Sequence, residues 1–121
     1  MKNLAPNLVR QRIIIEGTTD EIVRPPVIKA YLLALSRVVK MRPLRKPYAY
    51  IAEDMGYGGW IHWVTSGAHF YSYPAECTYP TNLPLFTVDA YTCKPFSCRK
   101  AVAFSKKYLK ARHIEWKEVE I

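Results

Sequence analysis

Gly56-Tyr57-Gly58-Gly59-Trp60-Ile61-His62-Trp63-Val64-Thr65-Ser66-Gly67-Ala68-His69-Phe70-Tyr71-Ser72-Tyr73-Pro74 contains two runs rich in aromatic and β-branched residues, Trp60 to Val64 and His69 to Tyr73. Between them lies Thr65-Ser66-Gly67-Ala68, a turn-forming segment, so the stretch predicts an antiparallel hairpin entered through a turn at Gly56 to Gly59. Working outward, Tyr48 to Glu53 reads as a strand freed from the preceding helix by Pro43 and Pro47, and Phe86 to Thr92 alternates into another. Pro74 to Pro84 has turn residues and no period and reads as a loop. Leu8 to Glu16 is a further strand, closed by Gly17-Thr18-Thr19-Asp20.

Two helices complete the pattern. Pro25-Pro26 suit a first helical turn, and Val27, Ile28, Tyr31, Leu32, Leu35, Val38 and Val39 recur on one face after them. Ser97 is a suitable N-cap for a second helix with Cys98, Ala101, Val102, Ser105, Tyr108 and Leu109 as its buried stripe. His113 to Ile121 forms a β-like tail. The order β-α-β-β-β-β-α-β, with only two helices, predicts an α+β fold: a two-layer α/β sandwich whose antiparallel or mixed sheet carries both helices on one face.

At 121 residues, 50% apolar, the chain has the size and composition of one globular domain spanning 1–121. Its apolar stretches are interrupted by Lys29, Ser36, Arg37 and His62, so none reads as a membrane span. Three cysteines, Cys77, Cys93 and Cys98, show no C-x-x-C spacing and cannot all pair, which points to a reducing cytoplasm. The formal charge is +8, and its placement is uneven. Glu21 to Glu53 encloses seven bases and no acid, and Asp89 to Glu115 encloses seven more, so 14 of the 18 Lys and Arg lie in two acid-free segments. Such segregation points to a polyanionic partner. One Gln and three Asn point to a thermophilic source.

Gly56-x-Gly58-Gly59, Thr65-Ser66 with Ser72-Tyr73-Pro74, Asp89-Ala90-Tyr91-Thr92-Cys93 and Lys106-Lys107-Tyr108-Leu109-Lys110-Ala111-Arg112 occur in the same order as in one family. The chain resembles the small prokaryotic S-adenosylmethionine decarboxylases, nearly end to end. The resemblance implies a two-layer protomer that pairs into a four-layer αββα dimer. It also implies self-cleavage before an internal serine, which becomes a pyruvoyl group that serves as an electron sink. Ser66 falls at that serine, and Cys93 at the family's proton donor. Other positions depart from the pattern: Thr65 replaces Glu, Gly67 replaces His, Gly58 replaces the serine that assists processing, and Tyr71 replaces the histidine used in processing and stacking. The ribose-binding glutamate is Ala75, with Glu76 one position late.

Self-cleavage needs a base and oxyanion donors around Ser66, which Gly58 and Gly67 cannot supply, and Tyr71 is a poor base at neutral pH. The expectation is therefore a non-catalytic, degenerate member with no cofactor. The expected RNA-facing groups are Arg42, Arg45 and Lys46 of a proline-stiffened loop and Arg99, Lys100, Lys106, Lys107 and Lys110 of the second helix. Structured RNA is the expected partner, with a ribosomal subunit of a thermophilic archaeon as the fitting polyanion. Two alternatives remain: a divergent pyruvoyl-dependent decarboxylase of S-adenosylmethionine or a basic amino acid, self-processed at Ser66, and a regulatory subunit paired with an active homologue. His62 and His69 lack metal-ligand spacing, and no metal is expected.

Overall fold

The computed structural model describes residues 1–121. In chain order it contains β1 (Gln11–Thr18), α1 (Pro25–Val38), β2 (Tyr48–Ile51), β3 (Tyr57–Trp63), β4 (Ser66–Tyr73), a 3-10 turn (Ala75–Cys77), β5 (Leu85–Thr92), α2 (Cys98–Leu109) and β6 (His113–Val119). The strands form one open sheet in the order β2-β3-β4-β5-β1-β6, with every neighbouring pair antiparallel. This is the α+β arrangement expected from the sequence, without the parallel pairing a mixed sheet would contain.

Period-two alternation decides which side of the sheet is dry. Ile13, Ile15, Ile61, Trp63, Ala68, Phe70, Phe86, Val88 and Ala90 point to one face and are buried there with the helices. On α1, Ile28, Tyr31, Leu32 and Leu35 form the inward stripe, and the helix lies over β2 and β3. On α2, Cys98, Ala101, Val102, Ser105 and Leu109 turn inward, and that helix lies over β1 and β6. The phenol of Tyr31 and the hydroxyl of Ser105 meet at 2.7 Å, linking the two helices inside the core. Tyr108, expected in the buried stripe, is 39% exposed, because Ser105 and Leu109 take the inward positions and its ring packs beside Phe104 and Tyr31 instead.

Local signals act where expected at the helix ends. The Ser97 hydroxyl accepts from the Lys100 N–H at 3.2 Å and caps α2. Both helices close on a lysine in the left-handed region, Lys40 at φ 59 and Lys110 at φ 55. In each case a 6→1 bond seals the turn, Met41 N–H to Ser36 O at 2.9 Å and Ala111 N–H to Lys106 O at 3.0 Å. The two helices run in opposite directions: α1 climbs from beside Ser72, whose hydroxyl donates to Val23 O, towards the β3–β4 turn. From beside Gln11, α2 descends to Thr18, whose carbonyl accepts from Arg112 N–H.

Trp63 ends β3 fully buried, and its indole N–H donates to Ser36 Oγ of α1 at 2.8 Å while that hydroxyl donates to Leu32 O. The hairpin turn is thereby tied to the last turn of α1. The turn is shorter than the sequence suggested: Trp63 pairs with Ser66, leaving only Val64-Thr65 outside the ladder. Glycines expected in turns lie within strands instead. Gly17 pairs with both Phe86 and Ile114, and a Cβ there would stand 2.6 Å from the Phe86 ring. Gly59 lies where α1 comes closest to the sheet, with a virtual Cβ 2.7 Å from both Ile28 Cγ2 and the Tyr48 carbonyl oxygen. Gly59→Ala is expected to destabilise the fold by about 1–3 kcal/mol by forcing α1 and β2 apart. Denaturant midpoints compared with a surface control such as Ala103→Ser would measure it.

Candidate functional site

The β3–β4 turn, the end of β5 and the loop after α1 meet at one end of the sheet. Thr65 takes φ 62, unusual for a β-branched residue, so the turn holds the peptide before Ser66 in a constrained geometry. Ser66 Oγ accepts from the Cys93 N–H at 2.9 Å. The single proton of Thr65 Oγ1 has two acceptors in reach, the Val64 carbonyl at 2.6 Å and Cys93 Sγ at 2.8 Å. Hydrogen bonds from Thr65 and then Ser66 hold the Cys93 thiol below the usual range, with Lys94 adding a smaller electrostatic push in the same direction. Beside it lies a recess of about 300 Å³ lined by Met41, Arg42, Val64, Cys93 and Lys94. Two residues singled out from distant parts of the sequence, Ser66 and Cys93, are thus brought together.

The positions implied for processing are not brought to them. Gly58 and Tyr71 pair with each other across β3 and β4, and Tyr71 lies five residues beyond Ser66, about 17 Å along the strand at roughly 3.4 Å per residue. The space a side chain at 58 would need is filled by the Tyr50 ring, 2.4 Å from a virtual Cβ. Burial, followed by Tyr50, Tyr73 and Asp89, pushes the Tyr71 phenol above its already high value, so it stays protonated at neutral pH. Ala75 and Glu76 lie in the 3-10 turn, which follows β4 at the far end from Ser66. No carboxylate or imidazole hydrogen-bonds to Ser66. The side chains around it do not fit a serine poised to attack the preceding carbonyl.

A second depression, about 610 Å³, lies on the face of the sheet away from the helices, between His62, Ser66, Gly67, His69, Tyr91 and the Arg12–Asp89 pair. That pair is bidentate, at 2.9 and 2.7 Å, and half-exposed. His62 and His69 are both exposed and belong to no group of three or more His, Cys, Asp or Glu placed to hold a metal.

The eight candidate RNA-facing cations are all exposed, and none makes an ion pair. They separate into two groups. Arg42, Arg45 and Lys46 in the loop after α1, and Arg99 and Lys100 in the first turn of α2, lie at the Ser66 end of the sheet. Lys106, Lys107 and Lys110 lie at the opposite end of α2, about 9–16 Å further along at roughly 1.5 Å per residue. One surface escaped the sequence reading: Tyr48, Tyr50, Trp60, His62, His69 and Tyr71 share the uncovered face of β2, β3 and β4. Alternation was the available signal, because Trp60 and His62 of β3 and His69 and Tyr71 of β4 are all out of phase with the buried Ile61, Trp63, Ala68 and Phe70.

This arrangement, two helices on one face of a six-stranded antiparallel sheet, is the fold of S-adenosylmethionine decarboxylase-like proteins. The crystal structure of the adenosylmethionine decarboxylase from Aquifex aeolicus VF5 matches with a TM-score of 0.64 at 20% identity, over 93% of this chain and 90% of that one. No family model and no curated protein matches the sequence.

In a Cys77→Ser background, Cys93 is expected to react with iodoacetamide faster than Cys98, whose thiol burial pushes up. Its half-maximal rate should fall below the pH of an ordinary thiol, and Thr65→Val should move it upward by removing the donor to Sγ. An unchanged profile in Thr65→Val would show that Thr65 does not hold the thiolate.

Proposed function

We propose that this chain is a non-catalytic protein of S-adenosylmethionine decarboxylase-like fold that binds structured RNA, with ribosomal RNA as the abundant polyanion that fits. The observation carrying the reading is that Arg42, Arg45, Lys46, Arg99, Lys100, Lys106, Lys107 and Lys110 are exposed cations without a carboxylate partner in a chain of charge +8. A solvated face on an ordinary protein interleaves both signs, whereas these charges are left available for phosphates. Their distribution at both ends of α2 suits a broad contact with the backbone of a folded RNA more than a compact pocket. The non-catalytic half of the reading is supported by Ser66, whose hydrogen-bond partners are the N–H and thiol of Cys93 and include no carboxylate or imidazole.

If about six of the eight charges neutralise phosphates, log affinity for structured RNA should fall against log salt with a slope on the order of −4 to −5. Lys106→Glu, Lys107→Glu and Lys110→Glu together should leave the fold intact, since none packs on the core, and should abolish co-sedimentation with RNA or ribosomes at moderate salt. A folded triple variant that co-sediments like wild type would remove the second helix from the interface.

Intact mass tests the catalytic question separately. One species of 14.0 kDa is expected. Two fragments parted between Thr65 and Ser66, with a carbonyl trapped by borohydride, would replace this reading with that of a self-processed decarboxylase.

A further inference from the structure

Neither helix contains an acid. Pro25–Val38 and Cys98–Leu109 together carry six bases, all of them exposed. Four are the α2 cations of the candidate interface; the other two, Lys29 and Arg37, lie on α1 and make no ion pair. Their placement runs against helix stability. The first turn of a helix carries a partial positive charge that favours carboxylates. Neither first turn holds one, Arg24 stands at the N-cap of α1, and Arg99 and Lys100 occupy the first turn of α2. Cations there weaken the helix they sit on, so folding does not account for the exclusion of acids from this layer. Asp20 and Glu21 come near it at the Lys110 end, where Asp20 is held by Arg112 at 2.9 Å.

The two helices run in opposite directions and are held level by the contact between Tyr31 and Ser105. Two residues from that contact, Lys29 is roughly level with Lys107; six residues the other way, Arg37 is roughly level with Arg99. The layer thus carries cations from both helices at two levels, about 12 Å apart at roughly 1.5 Å per residue. The trough between the helices is filled by Phe104 and Tyr108, whose rings pack on each other at 5.3 Å and on Tyr31 at 5.9 Å.

We infer that α1 and α2 form one docking surface for double-stranded RNA, in which Lys29 and Arg37 bind phosphates together with the cations of α2. The inference rests on the RNA reading above and adds to it a second helix and the class of RNA. Cations fixed on two rigid helices suit the regular phosphates of a duplex, which is recognised by its shape. An unpaired strand is held by stacking its bases on open aromatic rings, and the rings of this layer pack on one another instead. The surface faces away from the side of the sheet on which a second copy would sit, so it is open in a monomer and in a dimer alike. An anionic membrane suits it less well, because an interfacial helix embeds its apolar face in lipid, whereas the apolar stripes of α1 and α2 are buried in the core.

The test compares a short RNA duplex of mixed sequence with an oligouridylate of the same length, by fluorescence anisotropy with the full chain. The duplex should bind about tenfold more tightly. Lys29→Gln with Arg37→Gln should weaken duplex binding by about tenfold and lessen the salt slope by about two, since each lost phosphate contact removes about one from it. Lys2→Gln, next to Met1 on the other face of the sheet, should leave both unchanged. In the unaltered protein the duplex should protect Lys29 from acetylation while Lys2 stays reactive, a measurement that needs no variant. Duplex binding with an unchanged slope in the double variant and no protection of Lys29 would remove α1 from the surface and leave the RNA reading standing. Tighter binding of the oligouridylate would overturn the assignment to a duplex. Binding of neither RNA would overturn both readings, and capture by phosphatidylglycerol vesicles in its place would assign the layer to a membrane.

Discussion

The bond from the Trp63 indole to Ser36 fixes the register on which the other features depend. A strand slipped by one residue exchanges its two faces, and β3 has large side chains on both: Ile61 and Trp63 on one side, Trp60 and His62 on the other. Trp63 is the only one of these whose polar atom finds a buried partner on α1, so only one register satisfies its N–H. With that register set, Ser66 must sit opposite Trp63 at the end of the ladder, and β5 brings Cys93 alongside it. The outward direction of Trp60 and His69 follows from the same choice.

The sheet therefore has two unlike sides. Beneath the helices, polar atoms are few and paired: Tyr31 with Ser105, Ser36 with Leu32 and Trp63, and Ser72 with Val23. On the uncovered side the edge formed by β2, β3 and β4 is aromatic, and the half formed by β5, β1 and β6 mixes Arg12, Asp89, Glu16, Glu115 and Lys117 with Ile14, Tyr91 and Val119. On this face the aromatic rings pack on one another and the charged side chains are exposed or half-exposed. It is also the part of the fold where residues can change without disturbing the core, and where a shared architecture can serve a different partner.

The cations follow a separate logic. Only Arg112 among the fourteen bases of the two acid-free segments is ion-paired, to Asp20 at 2.9 Å, and that pair is exposed. Exposed pairs contribute little to stability, so the fold does not rest on them. Positive charge accumulates instead on loops and on the solvent side of α2, and the resulting field draws in anions without specifying the fold.

Local chemistry made much of this legible in the sequence. Proline at the start of α1, Ser97 before α2, the helical stripes and the two apolar runs of the hairpin each act through neighbours a few residues away, and the α+β order follows from them. Ser66 and Cys93 could be singled out from motif order alone. Whether they touch could not, because the contact depends on β4 and β5 pairing between positions 27 apart in the chain. The same holds for Gly17 and Gly59, which read as turn residues until Phe86 and Ile28 are placed against them. Charge totals and acid-free segments are properties of the chain. That the charges divide between two ends of α2, and that an aromatic face lies on the side of the sheet away from the helices, was decided only by strand order and helix direction, which arise from contacts distant in sequence.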